Sequence, residues 1–100
     1  MVTEEAVKEV LKNVRDPEIG LDVINLGLVY DISITDKALN IDMTLTTPAC
    51  PAGPQMISEA QMLLHERFPE LDEVNINLVW TPFWNPSMMS DEAKEELGIF

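Results

Sequence analysis

The sequence predicts a small two-layer α/β (α+β) domain built in the order α-β-β-α-β, with a small mixed sheet. Three observations carry this. Two segments repeat their apolar residues at helical spacing, three segments alternate apolar and polar residues, and the chain has 100 residues. A chain of that length buries roughly 65% of the surface its unfolded form exposes, enough for one modest core. We therefore expect one domain over residues 1–100.

The first helix is expected over 4–14. Val7, Val10, Leu11 and Val14 recur at i, i+3, i+4 and i+7 and form one apolar stripe. Thr3 can cap its start, and Glu4 and Glu5 suit the positive end of the helix dipole. Pro17 pushes Asp16 out of helical geometry and ends the element.

Two strands follow, at 28–34 and 39–45. Even positions are apolar in the first and odd positions in the second, the period expected of half-buried strands. The polar connection Thr35-Asp36-Lys37-Ala38 makes them an antiparallel hairpin. The second helix runs over 54–67, opened by Pro54, with Met56, Ile57, Ala60, Leu63 and Leu64 inward. The third strand spans 74–80. A right-handed crossover through the second helix lays it parallel to the second strand. Both helices then cover one face of the sheet. Ser90 can cap a short last helix, and Gly98 can terminate it.

Charge narrows the function classes. Six basic and eighteen acidic residues give a net charge of −12. Such a surface repels nucleic acid and anionic membranes, and suits basic protein partners or plain solubility. No apolar run approaches the ~20 residues of a membrane span. The start of the chain lacks the basic and apolar character of a signal peptide, so the expected location is cytoplasmic.

One cysteine excludes an internal disulfide. Cys50 sits in Thr46-Thr47-Pro48-Ala49-Cys50-Pro51-Ala52-Gly53, just before the second helix. Free N–H groups and the helix dipole there favour a thiolate, which is both a metal ligand and a nucleophile. The alternative is a small buried apolar cysteine. The sole histidine, His65, phases to the solvent side of the second helix, about 18 Å along its axis from the start. A Cys–His dyad within the chain is thus out of reach, and a closed zinc site lacks ligands. With no general base near Cys50, we expect no enzyme. A metal at Cys50 would be transient and shared with a second chain or a partner, which makes a homodimer attractive.

Asp16-Pro17-Glu18 offers two carboxylates around a rigid residue, read either as oxygen ligands or partner contacts, or as a solvated turn. Gly27 in Asn25-Leu26-Gly27 suggests a bulge or a close backbone approach. Trp80, Phe83 and Trp84, beside Pro82 and Pro86, read either as a lid over the sheet or as a partner-binding patch. No phosphate loop, nucleophile elbow or zinc-protease helix is present.

Three blocks together resemble the SufT family of iron–sulfur cluster assembly proteins. They are Asp16-Pro17-Glu18-Ile19-Gly20 with Asp22-Val23-Ile24-Asn25-Leu26-Gly27-Leu28-Val29-Tyr30, then Met43-Thr44-Leu45-Thr46-Thr47-Pro48-Ala49-Cys50-Pro51, then Trp80-Thr81-Pro82-Phe83-Trp84 with Met89-Ser90-Asp91-Glu92-Ala93 and Leu97-Gly98. The resemblance implies an iron–sulfur cluster assembly domain-like fold. It also implies an accessory role in maturing iron–sulfur proteins, as a carrier or adaptor acting with scaffold or client proteins. The family's cysteine maps onto Cys50 and its acidic motif onto Asp16 and Glu18. The implied cargo is a transient iron–sulfur cluster or iron, with none held tightly by one chain. The family also includes PaaD-like accessory components of an oxygenase system. These usually carry a cysteine-rich C-terminal part, which this chain, ending at Phe100, lacks. That favours the SufT-like branch and leaves two alternatives: a PaaD-like role, or an interaction module with a structural Cys50.

Overall fold

The computed structural model describes residues 2–17, 19–46 and 52–98. In chain order the elements are α1 (Glu4–Leu11), β1 (Val29–Thr35), β2 (Ala38–Met43), α2 (Gly53–Arg67), β3 (Glu73–Leu78), a 3₁₀ turn (Pro86–Met88) and α3 (Asp91–Leu97). The sheet order is β1-β2-β3, with β1 antiparallel and β3 parallel to β2. The expected mixed sheet and two-layer arrangement are both observed.

The Thr3 hydroxyl accepts the Ala6 N–H at 3.1 Å and starts α1, as expected. The helix ends at Leu11, three residues earlier than the apolar stripe suggested. The Asn13 side chain donates to the Val10 carbonyl at 3.2 Å, and Asn13 and Val14 make tight backbone bonds to Val10 and Leu11. A side chain that competes for helix carbonyls loosens the last turn. Val14 is nonetheless fully buried, so the stripe predicted burial correctly and helix length incorrectly. Asp16 therefore does not stand at a helix C-terminus.

Leu39, Ile41 and Met43 of β2 are fully buried. They face the layer formed by α1 and α2, which pack on each other and against β1 and β3 respectively. From α2, Met56, Ala60 and Leu64 enter the core. The hairpin closes through Asp36 at φ +50°, a left-handed position that aspartate tolerates better than most residues. Each strand is displaced from or shorter than its sequence span. β2 stops at Met43, although Thr44 N–H still donates to Leu28 O at 2.8 Å. β3 stops at Leu78, ahead of the proline-containing segment, with Val79 N–H still on Met43 O at 2.9 Å.

Ser90 caps α3 through Ala93 N–H, and Gly98 ends it at φ +72°. Ala93 and Met89 are buried and fix this last helix to the domain.

Candidate functional site

Cys50 and Glu18 lie outside the described residues. The neighbours that frame Cys50 in sequence are well defined. Leu45 is buried two residues beyond the end of β2, and Gly53 opens α2. A Cβ on Gly53 would come within 2.5 Å of Leu45 Cδ1, so the residues on either side of segment 46–52 touch. A larger residue at 53 would require the Leu45 side chain to shift. Apart from the glycine itself, nothing in the sequence signals this contact.

Ala52 is the N-cap of α2 and its side chain makes no capping bond. The first turn holds no acidic residue, and Pro54 occupies it as expected. A helix start of this kind keeps unpaired N–H groups and a positive dipole end, which favour an anion such as a thiolate. Cys50 stands two residues before that cap in the chain. His65 is exposed near the far end of α2.

Asp16 is 2% exposed. Its Oδ1 accepts the Ile19 N–H at 3.3 Å, its carbonyl accepts Gly20 N–H at 2.6 Å, and its own N–H donates to Leu21 O at 2.9 Å. Gly20, at φ +85°, lets the chain reverse. Arg15 then pairs with Asp22 as an antiparallel bridge. Asp16 is thus built into a tight turn rather than presented to solvent.

Asp22, 8% exposed, does similar work in the next turn. Its Oδ2 accepts the N–H groups of Ile24 and Asn25, both at 3.0 Å, and its Oδ1 accepts the Asn25 amide at 2.6 Å. The Asn25 Oδ1 in turn accepts the Ser90 hydroxyl at 2.8 Å. This chain of bonds ties the approach to β1 to the cap of α3. Asp22 and Asn25 stood in the sequence motif, but their link to Ser90, 65 positions from Asn25, was not legible there.

The aromatic trio is divided by the fold. Trp84 is half-buried and donates its indole N–H to Leu26 O at 2.6 Å. Trp80 is also half-buried against the core. Phe83 is 70% exposed. Tyr30, extra in the bulge between Val29 and Asp31, donates its hydroxyl to Pro82 O at 2.8 Å and lies 3.5 Å from Met88 Sδ. Burial raises the Tyr30 pKa above its ordinary value, and the Thr44 hydroxyl pulls the other way. Gly27, at φ +76°, leaves room for the Met88 carbonyl, with which any Cβ would collide. The close approach expected at Gly27 is therefore observed.

Among the described residues, no three His, Cys, Asp or Glu side chains form a group able to hold a metal. No helix there is long and apolar enough to cross a membrane.

A family model described as iron–sulfur cluster assembly protein matches residues 4–78. The chain belongs to that family. The iron–sulfur cluster assembly match spans α1 through β3 and includes Cys50, whereas Trp80, Phe83 and Trp84 lie beyond it. The chain is similar to the Fe-S protein maturation auxiliary factor SufT of Staphylococcus aureus. The two are 46% identical over 84% of this chain and 96% of that one. It is also similar to the Fe-S protein maturation auxiliary factor YitW of Bacillus subtilis, at 43% identity over 96% of this chain and 98% of the other. The crystal structure of a domain of unknown function, DUF59, from Bacillus anthracis superposes with a TM-score of 0.91 at 40% identity. That match covers 97% of this chain and 92% of the other. Sequence thus indicates an iron–sulfur assembly domain, and the fold is the one seen in that DUF59 crystal structure.

Proposed function

We propose that this chain is an accessory factor in the maturation of iron–sulfur proteins, acting as a carrier or adaptor through Cys50. The similarity to maturation auxiliary factors along nearly the whole chain carries this reading. Cys50 is the chain's only thiol, and it precedes an α2 start that lacks side-chain capping and acidic residues. A thiolate is favoured there and is a soft ligand for iron. The cargo is an iron–sulfur cluster or iron, completed by ligands from a second copy or from a scaffold or client protein. One thiol cannot enclose a cluster, since such clusters ordinarily take about four protein ligands. Asp16 acts by shaping its turn, consistent with its burial and its bonds to Ile19 and Gly20. Glu18, two residues on in the chain, is proposed to help Asp16 shape the site. Trp80 and Trp84 hold the loop that presents Phe83, the partner-contacting residue.

Anaerobic purification with iron and sulfide analysis tests the carrier reading. Wild type reconstituted with iron and sulfide should show a cluster chromophore that Cys50→Ser loses. No chromophore in either protein would overturn it.

A second reading is a pure interaction module in which Cys50 is structural. The exposure of Phe83 at the end of an anchored loop favours it. Loss of client capture in Phe83→Ala, with Cys50→Ser unaffected, would select this reading.

A further inference from the structure

The sheet face turned away from α1 and α2 carries two fully polar cross-strand rows. Ser33, Asn40 and Asn75 form one row, and Asp31, Asp42 and Asn77 the next. Asp31 and Asp42 are direct partners across β1 and β2. Like charges directly opposite each other disfavour the pairing. Asp42 receives one amide hydrogen bond, from Asn77 at 3.3 Å. The ion pairs among the described residues, Lys8–Glu4 and Lys12–Glu9, lie on α1 and its C-terminal cap. No lysine or arginine of those residues neutralises the Asp31–Asp42 pair.

Beside this pair lies an open groove lined by Tyr30, Asp42, Val79, Pro82 and Met88. Its shape is set in advance. The Tyr30 hydroxyl holds the Pro82 carbonyl, and Gly27 lets the Met88 backbone close in. The exposed Phe83 follows Pro82 directly. The groove therefore combines apolar walls with the Asp42 carboxylate, and Asp31 stands opposite Asp42 on the neighbouring strand.

We propose that this groove docks an extended protein segment carrying a lysine or arginine flanked by aliphatic residues. The cation lies between Asp31 and Asp42, and an aliphatic side chain lies against Val79 and Pro82. Charge complementarity selects the occupant: the chain carries −12 overall, and polyanions are repelled. This names the partner chemistry of the docking loop in the proposed function and does not depend on the role of Cys50.

The test is an amide-resolved NMR titration with the blocked peptide Leu-Arg-Val-Lys-Leu, using a Glu-for-Arg/Lys peptide as control. It is run at about 0.15 M salt, where charges more than about 8 Å apart are largely screened. Saturable shifts should concentrate at Tyr30, Asp42, Val79 and Met88. The double variant Asp31→Asn/Asp42→Asn should weaken binding about tenfold, with its fold confirmed by an unchanged remainder of the spectrum. Three results would overturn the proposal. They are no saturable shifts, shifts as large at Glu95 and Glu96 of α3 as at Asp42, or equal binding of the acidic control peptide. A double variant that binds as wild type does would overturn it as well. Cys50→Ser should bind the peptide as wild type does, so a failed carrier role and a failed docking groove give different results.

Discussion

The indole N–H of Trp84 and the carbonyl of Leu26 meet at 2.6 Å, joining the loop after β3 to the turn before β1. These residues are 58 positions apart in the chain. The bond makes Trp84 a fastener and leaves Phe83 as the displayed aromatic.

Stability should separate those two roles. Trp84→Phe keeps the ring but strands the Leu26 carbonyl, so it should cost about 1–3 kcal/mol in denaturant unfolding. Phe83→Ala should stay within about 0.5 kcal/mol of wild type, as exposed positions usually do. Equal losses, or the reverse order, would contradict the division.

Gly20 and Gly27 provide a matched pair. Both have positive φ, but a Cβ at Gly20 meets nothing within 4 Å, while one at Gly27 runs into Met88. Gly20→Ala should therefore cost about 1–2 kcal/mol from backbone strain alone. Gly27→Ala should cost distinctly more. Thermal or denaturant unfolding of both variants checks the ordering.

Tyr30 is the only tyrosine, so tyrosinate absorbance reports on it alone. Its pKa is raised from 10.0, first by burial, with the Thr44 hydroxyl opposing. A raised pKa means that the folded protein holds this proton more tightly than the unfolded chain. The associated stability is fully present below the unfolded value and is lost as pH rises through the folded one. An ultraviolet titration should give a midpoint above 10.0, with stability declining at higher pH. A midpoint at or below 10.0 would contradict the burial of this hydroxyl.

Ser90 should matter through its hydroxyl. It accepts Ala93 N–H at 3.2 Å and donates to Asn25 at 2.8 Å. Ser90→Ala should cost about 1 kcal/mol, the usual value of a lost N-cap. Amide hydrogen exchange should rise first in α3. Unchanged exchange there would show that buried Met89 and Ala93 alone hold the helix.

The sequence was most legible where periodicity reports burial. The alternation Leu39, Ile41, Met43 and the helical spacing of Val7, Val10, Leu11 and Val14 identified core positions directly, because a period of residues maps onto a face. Element ends were less legible. Asn13 shortened α1 through local side-chain bonds that a burial pattern does not register. The pairings that position the loops were least legible. Trp84 with Leu26, Tyr30 with Pro82 and Asn25 with Ser90 join segments remote in the chain. The acidic character of Asp16 was visible, but its use as a turn-former was not, since a carboxylate in sequence does not reveal which N–H it will accept.

The central claim is that iron–sulfur protein maturation runs through Cys50, and one comparison tests it most directly. The activity of an iron–sulfur client enzyme is measured in cells that carry either wild type or Cys50→Ser, with the two proteins at matched abundance and equal thermal stability. The account predicts that client activity falls with Cys50→Ser to the level of cells lacking the protein. Client activity equal to wild type would contradict it.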